Sequence, residues 1–550
     1  MRVFVLGLDG ATLDLICPWA EQGKLPNFAK LIRRGVWGRL ASVPNMRSAA
    51  AWTSFMTGKN PGKHGLFEFY EHTPDYETRF LRGGDRDGVT LWRLLSEAGK
   101  KVVVMNVPMT YPAEEVNGLV ITGLDAPGPE SRQFSYPPGL IRDIEKMFGR
   151  YILEPGLTGL IANGNIDGAV GKLNEEIDQK VRICLHLMRE YDWDFFMVVF
   201  RSLDAVQHCF WKYMDSSHPQ YDASLAAKNG HVIMDFYKKI DDVVGTILNT
   251  ISGNDVFLMM SDHGFGSKHP ANNQLNQWLS SKGLLRYIEQ DADSLLSRIY
   301  CLVERKTSRS MKEKLVRCLP MLRDRIHSKL CFGGMDWSST KAYSDGLFPN
   351  VWINVKARQR QGVVGPGKEY KALVEYLKEN LLELRDLISN EKIVANVFER
   401  SEIYWGDKIQ KAPDILVRWR EDIPIHGIMI KTIREEISGP PLPGEDYRVI
   451  SGDHRFYGIF FAYGDNIKEG IQLEGPSIMD LTPTILHLMS LPIPKDMDGK
   501  VLEQMFEEGI SREPIFEEET SLPSRPSRSS YSSDEEECIR ERLRGLGYLE

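Results

Sequence analysis

Three carboxylates and three imidazoles, scattered along 550 residues, have the types and neighbours that bind metal ions. Asp9 closes an apolar run and is followed by Gly10. Asp204-Ala-Val-Gln-His208 sets a carboxylate and an imidazole four residues apart, on one face of a helix, where both can grip one ion. In Met259-Met260-Ser261-Asp262-His263-Gly264 an apolar run stops at two adjacent ligand-type side chains, and the glycine permits close backbone approach. Asp453-His454 stands just before another apolar run. Each has an ordinary reading as well: a helix cap for Asp9, a surface pair for Asp204 and His208, a turn cap for Asp262, a packed residue for His454. Together, Asp9, Asp204, His208, Asp262, His263 and His454 suit two borderline divalent ions, zinc above all, better than Mg²⁺ or Ca²⁺, which prefer all-oxygen shells. Mn²⁺ or Fe would also suit these donors, since affinity order does not fix occupancy in a cell. Two such ions about 3.5–4 Å apart can bind the attacking and leaving oxygens of an in-line displacement.

Residues so far apart need a scaffold that gathers them. Short β-branched runs at 3–8, 102–107, 119–122, 195–200, 256–260 and 459–463 alternate with helical patterns such as 25–34 and 175–191. Several runs are apolar on both faces, as central strands of a covered parallel sheet must be. The expected fold is α/β, a mostly parallel central sheet with helices on both faces. Three of the motifs follow such runs directly, and ligands in these folds bind beyond the carboxyl ends of the strands. Residues 286–415 read as an inserted cap: a basic helical stretch at 308–329, a strand at 351–355 and a helix at 370–384. The core is expected over 1–285 and 416–516, with Thr482-Pro483-Thr484 opening a helix. From 517 a Ser/Pro-rich, then acidic, flexible linker leads to an amphipathic C-terminal helix at 539–549.

Composition narrows the function. With 68 basic and 76 acidic side chains the net charge is −8, which argues against duplex nucleic-acid binding through a basic face. Seven cysteines form no CxxC and no regular spacing, so neither a zinc ribbon nor a disulfide framework is indicated. No run of eighteen apolar residues occurs, and the first apolar run is too short for a signal peptide. A cytoplasmic protein without a membrane span is expected. Its oligomeric state is not readable.

The stretch Ser48-Ala-Ala-Ala-Trp-Thr-Ser-Phe-Met-Thr57-Gly58-Lys-Asn-Pro61-Gly-Lys-His64-Gly65 resembles the type I phosphodiesterase/nucleotide pyrophosphatase family of the alkaline phosphatase superfamily. In that family a Thr or Ser nucleophile lies nine residues before the Thr-Gly of a TGxxPxxHG motif, which points to Ser48. LDG at the start, DxxxH, SDHGF, a late His, DLTPTIL and DMDG follow in the family's order. The resemblance implies one zinc on Asp204, His208 and His454, a second on Asp9, Asp262 and His263, and Ser48 beside both. A metal-favoured Ser48 alkoxide would attack phosphorus and form a phosphoseryl intermediate, later hydrolysed. Asn45, Arg47 and His269 are the candidate substrate contacts. The expected activity is cleavage of phosphodiester or pyrophosphate bonds in a small phosphorylated substrate, such as a nucleotide. A phosphomonoesterase or phosphomutase of the same superfamily is the alternative, and a non-catalytic scaffold on this fold the remaining one.

Overall fold

The computed structural model describes residues 1–288, 334–346, 348–430, 449–507, 513–518, 531–546 and 548–549. The basic stretch expected to be helical at 308–329 lies outside them. Nine strands form the main sheet in the order Ile471–Leu473, Val36–Ala41, Tyr457–Tyr463, Val256–Met260, Val3–Leu8, Phe195–Phe200, Val102–Val107, Gly118–Thr122 and Ser135–Tyr136. The four pairings that join Val256–Met260, Val3–Leu8, Phe195–Phe200, Val102–Val107 and Gly118–Thr122 are all parallel, and helices pack around the sheet. Every residue of Val3–Leu8, Phe195–Phe200 and Val256–Met260 is buried. These strands are apolar on both faces because both faces are covered. Burying each large aliphatic or aromatic side chain contributes about 1.5–3 kcal/mol.

Register decides where the strands end. Leu8 lies opposite Phe200, and Gly7 opposite Met260, so three parallel neighbours finish along one edge of the sheet. Tyr457–Tyr463 is antiparallel to Val256–Met260, with Phe460 opposite Met260. It therefore begins at the edge where its neighbour stops. The chain just before it, Gly452–Arg455, forms a two-stranded ladder with Gly264–Ser267, and Phe265 pairs with His454. One antiparallel strand thus carries a residue from late in the sequence to the carboxyl edge of the parallel ones.

A second sheet of four antiparallel strands, Ala342–Tyr343, Asn350–Ile353, Ile415–Trp419 and Val394–Glu399, packs with the helix Lys368–Leu382. Its apolar cluster draws on residues from Ala271 to Ile428, a wider span than the expected insertion. The expected boundary at 415/416 cuts through the strand Ile415–Trp419, which pairs inside this cap. Buried Asp414 ties the cap together: it accepts from Arg358, from the Tyr370 hydroxyl at 2.9 Å and from Ile353 N at 2.7 Å. The C-terminal helix is Ser533–Gly545, so the acidic run ends as its first turn. Asp534, Glu535 and Glu536 there face the positive end of the helix dipole. Ile539, Leu543 and Leu546 join the main core.

Candidate metal centre and nucleophile

Each ligand-type side chain stands where an element ends. Asp9 follows the first strand, and its N–H continues the ladder by donating to Phe200 O at 3.0 Å. Gly10 then turns with φ +72, and its N–H approaches Asp262 Oδ1 at 3.4 Å. Asp204 and His208 lie on the buried face of the helix Ser202–Met214, Asp204 in its first turn. Asp262 and His263 follow the strand Val256–Met260 after the single residue Ser261. His454 arrives on the ladder beside Phe265, whose ring meets that of His208 edge-on at 4.7 Å.

The three imidazoles are aimed alike. Nδ1 of His208 is 2.9 Å from Gly452 O, Nδ1 of His263 is 2.9 Å from Gly264 O, and Nδ1 of His454 is 2.8 Å from Met46 O. A carbonyl can only accept, so each Nδ1 carries the proton and each Nε2 presents a bare lone pair. Such backbone bonds fix the tautomer and orientation of metal-ligating histidines. Those lone pairs converge. His208 Nε2 and His454 Nε2 are 3.1 Å apart, and Asp204 Oδ1 lies 3.2 and 3.5 Å from them. A tetrahedral ion with bonds of roughly 2.0–2.1 Å would hold its ligand atoms about 3.3–3.4 Å apart. The triangle matches one face of that tetrahedron.

A second cluster adjoins the first. His263 Nε2 lies 3.5 Å from Asp9 Oδ1, 3.4 Å from Asp262 Oδ2 and 3.2 Å from Ser48 Oγ. Asp9, Asp204 and His263 offer ligand atoms within 4.8 Å of one another, so Asp204 borders both clusters. The resemblance pairs Asp9 and His263 with Asp262; Asp262 is in contact with His263, while Asp204 completes the tighter triad. The donor set fits two cations on a direct observation. Asp9 Oδ1, Asp204 Oδ1 and Asp262 Oδ2 are buried without hydrogen-bond partners, which is costly unless a positive charge faces them, whereas Asp9 Oδ2 faces Arg201.

The protein's own charge at this place is Arg201, which sequence reasoning passed over. It follows the strand Phe195–Phe200 and is buried, with Nε 3.4 Å from Asp9 Oδ2 and Nη2 3.2 Å from Asp204 Oδ2. Each carboxylate gives one oxygen toward Arg201 and turns the other to the imidazoles. Burial, then the neighbouring acids Asp262 and Asp204, pushes Asp9 well above the usual carboxylate range. Asp262 is pushed up to about 7 by burial and by Asp204. Burial, then the His263 ring beside it, lowers His454 to about 3, which keeps it neutral and able to ligate.

Ser48 is the first residue of the helix Ser48–Thr57, all ten residues of which are buried. It is not the cap: that position is Arg47, and no side chain closes the helix there. The unpaired N–H groups of this first turn favour an anion beside Ser48. Behind it His64 accepts from Leu66 N at 3.2 Å and faces Ser54 Oγ at 2.9 Å, locking the TGxxPxxHG turn against the helix. Asn45, Arg47 and His269 line a cavity between core and cap, next to His454 and floored by Phe348, Trp352 and Trp419. Asn45 donates to Phe67 O at 2.6 Å, Arg47 pairs with Glu68, and His269 Nε2 is 3.1 Å from Arg455 Nη2. A second residue escaped the sequence: the hydroxyl of Tyr548 stands 3.0 Å from Ser48 Oγ.

Residues 3–425 match the type I phosphodiesterase / nucleotide pyrophosphatase family. The chain belongs to that family. It is a phosphodiesterase/pyrophosphatase-type phosphohydrolase, with candidate metal-ligand clusters in a family of divalent-metal enzymes. Similar solved structures include human ectonucleotide pyrophosphatase / phosphodiesterase 5, at 11% identity over 92% of this chain and 98% of that one, with a TM-score of 0.47. The murine protein of the same name, in complex with AMP, gives 10%, 92%, 100% and 0.46. Phosphonoacetate hydrolase from Sinorhizobium meliloti 1021, in complex with phosphonoformate, gives 14%, 88%, 94% and 0.49. No curated protein matches the sequence. Among the described residues, no helix is long and apolar enough to cross a membrane.

Proposed function

We propose that this family member cleaves phosphodiester or pyrophosphate bonds with two divalent ions and a phosphoseryl intermediate on Ser48. One observation supports the reading: three Nε2 atoms with fixed tautomers and three buried carboxylates gather in two adjoining clusters, and His263 of the second meets the hydroxyl of Ser48. Asp204, His208 and His454 would hold one ion. Asp9, Asp262 and His263 would hold the other, with Asp204 on their shared border and Ser48 beside both. Zinc suits this mixture of nitrogen and oxygen donors at tetrahedral spacing. When bound, the ions supply Lewis-acid stabilisation of phosphoryl charge and favour the serine alkoxide.

The chain's own groups do the rest. Ser48 Oγ bonds to phosphorus while the bond from phosphorus to the leaving oxygen breaks. Water then displaces Ser48 and releases phosphate or a phosphomonoester. The buried helix fixes Ser48 so that little ordering entropy remains to be spent at the reaction step. The N–H groups of its first turn face the added negative charge. The cavity beside Arg47, with Phe348, Trp352 and Trp419, would receive the group attached to phosphorus, and a nucleoside suits its aromatic walls.

Metal analysis and turnover of bis-p-nitrophenyl phosphate test the reading. The expected result is about two ions per chain and diester cleavage abolished by chelation. Ser48→Ala should lose turnover and keep its metal; an unchanged rate rejects Ser48 as nucleophile. A faster reaction with the p-nitrophenyl monoester would favour the monoesterase alternative.

A further inference from the structure

Ser48 Oγ has two polar partners. It meets His263 Nε2 at 3.2 Å and the Tyr548 hydroxyl at 3.0 Å, and that hydroxyl shares the surroundings of Asp204, Asp9 and Arg201. His263 Nδ1 carries its ring proton, because it faces Gly264 O, so its Nε2 can only accept from a Ser48 hydroxyl. Once a cation takes that Nε2, a Ser48 alkoxide has only lone pairs to offer, so in both states Ser48 is the acceptor toward Tyr548. The remaining bond then runs from the Tyr548 O–H to a lone pair of Ser48.

We propose that Tyr548 is a catalytic residue whose hydroxyl donates a hydrogen bond to Ser48 Oγ and to the phosphoryl group that Ser48 takes up. The inference rests on the reading of Ser48 as nucleophile. In a phosphoserine the non-bridging oxygens lie close beside Oγ. A donor already within 3.0 Å of Oγ reaches one of them with a small rotation of the bond. The phenol keeps its proton throughout, and no bond to it is made or broken.

Tyr548 is held as a built part of the site. It is buried, its ring meets Phe69 edge-on at 5.2 Å, and the Arg47 guanidinium carbon lies 4.9 Å from the ring centre. Its backbone N–H donates to Leu543 O at 2.9 Å, turning the chain back from the C-terminal helix. That helix is fastened in turn. Arg542 donates to Leu124 O at 3.0 Å and Pro127 O at 2.7 Å, and Tyr531 donates to Asp125 O at 2.8 Å and stacks on Tyr111. So many buried anchors suit a permanent wall better than a strap that must leave. Of the other donors near this helix start, the Asn45 amide is spent on Phe67 O and Arg47 Nε on Glu68, while Arg47 Nη2 is buried without a hydrogen-bond partner among the described residues, Ser48 included.

The test compares wild type, Y548F and a chain ending at Leu546, all metal-loaded, with bis-p-nitrophenyl phosphate as substrate and inorganic phosphate as ligand. Y548F removes one oxygen and should melt with the wild type and keep its metal. Losing one donor to developing charge should lower kcat by about 10- to 100-fold with KM nearly unchanged, and weaken phosphate binding. Y548F within twofold of wild type in both readouts overturns the proposal. So does a shortened chain that turns over faster than wild type, which would make Tyr548 a plug. If wild type and Ser48→Ala are equally inert, the hydrolase reading fails on its own. Phosphate affinity of Y548F against wild type then still decides whether Tyr548 is a donor.

Discussion

Replacing Arg201 with Met tests whether two carboxylates are arranged for cations. The guanidinium lies 3.4 Å from Asp9 and 3.2 Å from Asp204, in a place without solvent. At an effective dielectric of about 20, one contact at that distance is worth about 5 kcal/mol before desolvation. Desolvation cancels much of this, and removing one partner of a buried pair costs about 3–5 kcal/mol because the other charge is left uncompensated. That full cost is expected in chelator-treated Arg201→Met, read as the denaturant midpoint times its slope. In metal-loaded protein the ions face the same carboxylates, so the loss should be smaller. By linkage the variant must then bind Zn²⁺ more tightly than wild type, by the difference between the two losses. Equal losses with and without metal, or weaker Zn²⁺ binding by Arg201→Met, would refute the assignment of those free oxygens to cations.

Two further outcomes follow from packing and burial. Gly10 has φ +72, and an added Cβ would meet Asp204 Cα at 3.1 Å and Phe265 Cδ2 at 3.0 Å. Gly10→Ala should cost about 1–2 kcal/mol in backbone conformation alone and also lower metal content; native melting and metal content would contradict this. Burial, then the charges of Lys59 and Arg86, lowers His64 from 6.5 to about 3, so its folded value lies below its unfolded one. The unfolded chain therefore binds the extra proton first. The contribution is whole above pH 6.5 and is lost as pH falls toward 3, by at most about 5 kcal/mol. Stability measured at pH 7 and pH 5 should diverge less in His64→Gln than in wild type. An identical pH slope in both would show that His64 titrates normally.

The strands most visible in the sequence were those buried on both faces. Val3–Leu8, Phe195–Phe200 and Val256–Met260 are runs without a polar side chain, Val102–Val107 is broken only by Asn106, and the strand ends are the ends of the runs. Val36–Ala41 escaped notice because Gly38 and Arg39 interrupt it and only alternate residues are buried. Periodicity also cannot give direction, so the antiparallel setting of Tyr457–Tyr463, which delivers His454, was not legible. The site divides along the same line. Asp9, Asp204, His208, Asp262 and His263 sit at run ends or at helical spacing, where local chemistry is readable, and Ser48 was found by motif. Arg201 had a weak signal, its place directly after a central strand beside DxxxH. Tyr548 had none: its amphipathic surroundings announced a helix that docks, but no local pattern says which distant hydroxyl the turn beyond that helix will meet.

The partners at the nucleophile are 500 residues apart in the chain, and His208 and His454 are 246 apart. Contacts so distant form late, after the loops between them have closed. On a ribosome, the first two hundred residues can begin the sheet long before His454 exists to complete the first ion's ligands. On the proposed reading, cation capture would come among the closing events of the protein's maturation, and a prematurely terminated chain would lack the groups that complete the site.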